Sequence, residues 1–196
     1  LHIGGVRTAL FSYLFARQNN GKFALRIEDT DKVRSKDEWT TGLIDDLNWL
    51  GLKHDVFVKQ SDKASIHSSY IKKMIDSGHA YISKEKVVEE GQRDEVIRFK
   101  NPNKKVIIND LIRGEVTVDT TDLGDFVIAR SMEEPVYHLA VVVDDYEMGI
   151  THVIRAEEHL SNTPRQILIQ EAIGAPRPIY AHLPLVLAED RSKLSK

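Results

Sequence analysis

Apolar positions in the N-terminal third recur at helical spacing. Val6, Leu10, Phe11, Leu14 and Phe15 share one face of a helix predicted from Arg7 to about Asn19, with Gly21 as its stop. Phe23-Ala24-Leu25-Arg26-Ile27 reads as a short buried strand that runs directly into the acidic loop Glu28-Asp29-Thr30-Asp31. Ser35 and Glu38, three residues apart, form a capping box. It opens a helix with Trp39, Leu43, Leu47 and Leu50 on one face, ended by Gly51. A third helix, from about Lys63 to Ser77, places Ile66, Tyr70, Ile71, Met74 and Ile75 inward and stops at Gly78. Helix, strand, helix, helix over residues 1–78 favours an α/β fold with a parallel sheet.

The texture changes near His79. Tyr81-Ile82, Val96 to Phe99, Val106 to Ile108, Val116 to Val118 and Phe126 to Ile128 are short strand signals, and Arg113-Gly114 marks a turn between two of them. Residues 79–136 therefore read as a small β-rich insertion. Beyond Tyr137, Leu139 to Val143 reads as a buried strand followed by Asp144-Asp145, and Val153-Ile154-Arg155 as another. Asn162-Thr163-Pro164 starts a helix with Pro in its first turn. That helix runs to Ile173 and stops at Gly174, and Ile179 to Leu187 is a last strand interrupted by Pro184.

Composition narrows the class. A chain of this mass can bury about 70% of its unfolded surface, and 41% hydrophobic residues suit a globular protein. With no cysteine there is no disulfide and no thiolate zinc site. No apolar run approaches the length of a membrane span. A net charge of −3 argues against a surface that binds polyanions everywhere, while leaving room for a local nucleic-acid site. The first residue is Leu, not Met, and the last four are Lys193-Leu194-Ser195-Lys196, so the chain reads as cut from something longer.

Four segments carry candidate chemistry. His2-Ile3-Gly4-Gly5 precedes a helix whose N-terminal N–H groups and dipole suit an anion; the glycines permit close approach and His2 can donate to a phosphate or ribose oxygen. An ordinary glycine-rich turn is the competing reading. Lys193 and Lys196 put two flexible cations on one loop, suited to phosphate or to plain solvation. Glu28 stands at the C-terminal end of a strand, where open α/β sheets place ligands, and could take an ammonium group; the same loop could serve as a cap or salt bridge. Residues 133–159 hold seven acids and one base, Arg155, which is either paired structurally or reserved for an anionic substrate group. Tyr137 and His138 are core or rim residues or ligands.

Taken together and in order, HIGGVRTALF, LRIEDTD, YHLAVVVDD, VIRAEEHLSNTPRQ and KLSK resemble the catalytic domain of bacterial-type glutamyl-tRNA synthetases, a family of class I aminoacyl-tRNA synthetases. HIGG looks like the family's version of HIGH, and KLSK like its version of KMSKS. The resemblance spans essentially the whole chain. It implies a Rossmann-like parallel sheet split by a connective insertion: residues 1–78 the first half, 79–136 the insertion, 137–196 the second half ending in the KLSK loop. The first strand and the anticodon-binding domain are expected to lie outside the chain, and residues 1–196 alone to be nearly inactive.

The resemblance also implies activation of L-glutamate by ATP to glutamyl-adenylate, then transfer to the 3′ end of tRNA(Glu), with tRNA(Gln) a further candidate. Mg²⁺ accompanies the ATP, no protein group is expected to hold a metal, and the zinc-bearing variant of the insertion is excluded. His2, Lys193 and Lys196 take catalytic roles; His2, Gly4, Gly5, Glu158, Lys193 and Lys196 meet ATP; Glu28, Thr30, Tyr137 and Arg155 meet glutamate. A monomer in the cytoplasm, with no membrane partner, is the expected setting. The rival readings are a glutamyl-queuosine tRNA(Asp) synthetase, a glutaminyl-tRNA synthetase and a paralogue that binds tRNA or nucleotide without catalysis. The acidic loop IEDTD, rather than FDDTN, speaks against the glutaminyl enzyme, and retention of His2, Lys193 and Lys196 against the last.

Overall fold

Two parallel strands, β1 (Ala24–Ile27) and β2 (Val56–Lys59), pair in register from Ala24 opposite Val56 to Ile27 opposite Lys59. A parallel pair needs a crossover, supplied here by the helix α2 (Asp37–Trp49). The computed structural model describes residues 2–29, 37–86, 94–190, 192 and 194. These strands belong to the first of two units, formed by Leu1–Asp62, Ile154–Leu160 and Ala181–Lys196; the second comprises Lys63–Val153 and Ser161–Tyr180.

In the first unit, the helix α1 (Ile3–Gln18) precedes β1. Arg17 in its last turn grips Asp55 with both terminal nitrogens, Nη1 to Oδ2 at 2.8 Å and Nη2 to Oδ1 at 3.1 Å. Asp55 Oδ2 also accepts from the Phe23 N–H at 2.7 Å, so one carboxylate ties α1 to the starts of both strands. The Arg17 guanidinium and that N–H hold the Asp55 carboxyl below the ordinary aspartate range. Among the described residues of Leu1–Asp62, Phe23, Leu47 and Leu52 are the buried hydrophobic ones. The apolar face predicted for α1 is only partly covered: Leu10, Phe11 and Leu14 are exposed. On α2, Leu47 is buried whereas Trp39 is exposed, as is Leu50 just past the helix end. The capping box at Ser35 lies outside the described residues.

The second unit holds an antiparallel sheet ordered β3 (Ala80–Lys84), β4 (Glu95–Phe99), β7 (Phe126–Ser131) and β8 (Glu134–Pro135). Phe99 and Phe126 stack at 5.1 Å on neighbouring strands. Between them in sequence, β5 (Lys105–Asp110) and β6 (Gly114–Asp119) form a hairpin. β5 alternates strictly between exposed and buried, with Val106 and Ile108 inward. At its turn, Asp110 Oδ1 accepts from the N–H groups of Ile112 and Arg113, each at 2.9 Å, and Gly114 takes φ +72°. That positive φ is the reason a glycine stands there. Asp110 also pairs in parallel with Tyr180 at the start of β10 (Ile179–Leu183).

Among its described residues this unit also holds three α-helices, α3 (Ala64–Asp76), α4 (Tyr137–Glu147) and α5 (Thr163–Ile173). Ile71 and Met74 of α3 are fully buried, as are Ile167 to Ile169 of α5. The segment Leu139 to Val143 was expected as a strand and is the middle of α4. Every residue from Leu139 to Asp144 is buried. A helix covered on all sides shows no period in its sequence, so a continuous apolar run cannot separate it from a buried strand. β2 was not anticipated at all, because four residues between polar neighbours leave too little alternation to read. The last strand ends at Leu183, immediately before Pro184. β9 (His152–Ala156) agrees with the expected strand around Val153 to Arg155.

Candidate functional site

A cavity of about 990 Å³ opens within the first unit. His2, Gly4 and Gly5 line it at the start of α1, Arg26 and Glu28 at the end of β1, and Arg155 and Glu158 at the end of β9 and the turn after it. Residues from the beginning and the end of the sequence thus meet around one space.

The helix start is built by its own side chains. His2 is the N-cap in extended backbone, and its Nδ1 accepts from the Gly5 N–H at 3.3 Å. The ring nitrogen that accepts carries no proton, so in the neutral ring Nε2 carries it and remains a donor. Gly4 makes room for this cap: a Cβ there would sit 3.2 Å from ring atoms of His2. Part of the reason for the glycine is therefore the histidine beside it.

The acidic loop divides its labour. Asp29 accepts from the Ser61 N–H and hydroxyl, both at 2.8 Å, and fixes the short 3-10 turn Gln60–Lys63. Glu28 instead lines the cavity, with Arg26 Nη2 at 3.5 Å from its Oε1. Asp29 fits the structural reading of this loop, and Glu28 stands at the cavity beside Arg26.

Arg155 is anchored from its own unit. Its Nε donates to His182 Nε2 at 3.1 Å, and its Nη2 to the His159 carbonyl at 3.4 Å. Glu157, next to Glu158, accepts from the Leu185 N–H at 2.7 Å and pins the segment that follows β10. That segment lines the cavity through Leu183 to Val186, and again through Leu194, whose N–H donates to the Val186 carbonyl at 2.9 Å. Between them, Asp190 accepts from the Ser192 hydroxyl and N–H, bonds that hold its carboxyl below the ordinary range.

Six of the predicted residues, His2, Gly4, Gly5, Glu28, Arg155 and Glu158, are brought together here. Thr30, Lys193 and Lys196 lie outside the described residues. Tyr137 belongs to the second unit, where it is the first residue of α4 and its ring packs edge-on to His138 at 5.5 Å. Sequence reasoning did not single out Arg26, His159 or His182. A buried histidine in an apolar strand gives no sign in one sequence of what it bonds. Among the described residues, no cluster of three or more His, Cys, Asp or Glu side chains could hold a metal ion. Nor is any helix there long and apolar enough to cross a membrane.

A helix start containing two glycines, a strand-end carboxylate and an anchored arginine thus stand around one cavity. The chain belongs to the family of class I tRNA synthetases (E and Q), catalytic domain, which matches residues 1–90 and 83–196. Among curated relatives, the whole chain aligns at 50% identity with 49% of "Glutamate--tRNA ligase" of Aquifex aeolicus (strain VF5). It aligns at 46% identity with 50% of the protein of that name from Hydrogenobaculum sp. (strain Y04AAS1). Among solved structures it superposes on a glutamate tRNA ligase from Elizabethkingia meningosepticum in complex with its amino acid, with a TM-score of 0.92 and 33% identity. That match covers all of this chain and 49% of the other. The chain thus spans about half the length of the curated relatives it matches.

Proposed function

We propose that the protein carrying this chain activates L-glutamate with ATP and transfers it to the 3′ end of tRNA(Glu). The observation that carries the proposal is the shared cavity of Arg155, Glu28 and the His2-capped helix start, in a chain whose relatives are called glutamate--tRNA ligases. Glutamate has two carboxylates and an ammonium. Arg155 would take the side-chain carboxylate and Glu28 the ammonium, and Thr30 and Tyr137 are further glutamate contacts on this reading. That leaves the α-carboxylate for chemistry. His2, Gly4 and Gly5 would hold ATP at the positive end of α1, Glu158 its ribose, and Lys193 and Lys196 its phosphates.

In the first step, an α-carboxylate oxygen attacks the α-phosphorus of ATP and the bond to the β-phosphate oxygen breaks. Glutamyl-adenylate forms and pyrophosphate leaves. In the second, the 2′-hydroxyl of the terminal adenosine attacks the activated carbonyl, its proton passes to solvent, and AMP departs. In-line placement and stabilisation of charge at phosphorus carry the catalysis. Mg²⁺ would enter on the phosphates of ATP, where it neutralises charge. Glutamine would be refused because an amide cannot satisfy the cationic Arg155 in a dry pocket. The same reading has 79–136 as a connective insertion and the protein as a cytoplasmic monomer, with tRNA(Gln) as a second acceptor to test.

ATP–pyrophosphate exchange by the whole protein, with glutamate and with tRNA present, tests this. Glutamate-dependent exchange is expected, and its absence with tRNA present overturns the proposal. Arg155→Ala should raise the KM for glutamate by about tenfold or more and leave that for ATP near its starting value.

A further inference from the structure

His182 is wholly buried at the end of β10, and its Nε2 lies 3.1 Å from Arg155 Nε. A guanidinium can only donate, so Nε2 must be the acceptor and the imidazole must be neutral with its proton on Nδ1. A protonated ring would set a second cation against the first with no lone pair to receive the bond. The contact joins residues 27 apart in sequence, on the ends of β9 and β10. Both strand ends belong to the unit that holds the cavity.

We infer that His182 is the positioning residue for Arg155, and that it fixes the edge of the guanidinium that meets a substrate carboxylate. Arginine receives a carboxylate either side-on, through Nε and one Nη, or end-on, through its two Nη groups. The bond to His182 occupies Nε and removes the side-on mode. The His159 carbonyl, 3.4 Å from Nη2, constrains rotation of the same plane. The two bonds set the plane of the guanidinium before any ligand arrives, which lowers the ordering cost of binding. Selectivity for a carboxylate over an amide follows from that fixed edge, so it depends on His182 even though His182 need not touch the substrate. This inference rests on the assignment of Arg155 to the side-chain carboxylate of glutamate.

Three variants in the whole protein test it by exchange kinetics. His182→Phe keeps a flat ring and removes the acceptor. His182→Gln supplies a carbonyl oxygen at similar reach, and Arg155→Ala removes the guanidinium. The expected result for His182→Phe is a KM for glutamate raised by about tenfold, with kcat and the KM for ATP within about twofold, and a smaller preference for glutamate over glutamine. His182→Gln should recover most of the loss. Equal KM for glutamate in His182→Phe and the parent overturns the inference, as does equal damage in His182→Phe and His182→Gln, or damage spread alike over ATP and glutamate. If His182→Phe does not fold, His182→Leu against His182→Gln puts the same question. Arg155→Ala separates the two failures. No effect there removes the substrate assignment itself, whereas a strong effect there with none in His182→Phe removes only the positioning role.

Discussion

Arg7 donates through Nη1 to the carbonyl oxygen of Pro184 at 2.5 Å, a bond between residues 177 apart in sequence. It fastens the second turn of α1 to the segment that leaves β10, and both partners line the cavity. Glu157 holds the same segment from the other direction through the Leu185 N–H. The path from β10 toward Leu194 is thus fixed at two successive residues before it reaches the KLSK sequence. Arg7→Ala should loosen that path. We expect pyrophosphate exchange to fall by about five- to tenfold, chiefly through a higher KM for ATP, with the KM for glutamate little changed. Kinetics that vary each substrate in turn check this; an unchanged KM for ATP would make the bond purely structural.

Gly4 offers a cleaner separation of stability from function. Glycine inside a helix costs roughly 0.5–1 kcal/mol relative to alanine, so Gly4→Ala should stabilise α1 in isolation. The new Cβ would meet the His2 ring at 3.2 Å, so the ring must shift by a few tenths of an ångström, which lengthens its already long bond to the Gly5 N–H. Loss of a cap costs about 1 kcal/mol. The two effects nearly cancel in stability, whereas the imidazole still moves. The expected variant melts within a few degrees of the parent and shows a KM for ATP raised by about tenfold. Thermal melting and exchange kinetics on the same preparation test both halves.

How much of this was legible beforehand depends on the kind of signal. α1 and α3 announced themselves through spacing and stop signals, although α1 begins at Ile3 and not at Arg7, and α5 through its start at Pro164; Gly78 and Gly174 stand where their helices end, each with positive φ. β5 was legible from its β-branched run Val106 to Ile108, and its alternation of burial appears only in the structure. α4 was not legible, because burial on every side erases the period on which the reading depends. In the site, His2, Glu28 and Arg155 could be named from charge and position next to predicted helix and strand ends. His182 and the division of labour between Glu28 and Asp29 could not. They are properties of distance between residues far apart in the chain, and a single sequence carries no such distances.

Asp55 gives the first unit an acid-sensitive fastening. Its carboxyl is held below the usual aspartate range first by Arg17 and then by the Phe23 N–H. A group with a depressed folded-state pKa contributes stability that is full above its unfolded value, near 3.9, and lost as pH falls through its folded value. Stability of the parent should therefore decline as pH drops below about 4, and Asp55→Asn should remove this part of the decline. Melting temperatures of both proteins measured from pH 7 to pH 2 should converge in acid. A gap of constant size would show that Asp55 acts through shape instead of charge.

In the second unit, His67 Nε2 on α3 lies 2.7 Å from Asp144 Oδ1 on α4, and the two side chains are only 1% and 2% exposed. Taking one partner from a buried polar pair leaves the other without its imidazole or carboxylate in a medium that solvates it poorly. Replacing both by apolar groups removes the desolvation problem altogether. His67→Ala should thus cost about 3–5 kcal/mol, from the cavity as well as from the bond that Asp144 Oδ1 loses. His67→Leu in combination with Asp144→Leu should cost less than His67→Ala alone, although it changes more atoms. Urea unfolding of the three proteins at neutral pH tests the ordering. If the double variant is the least stable, the pair contributes net stability of its own, and the two helices depend on its hydrogen bond.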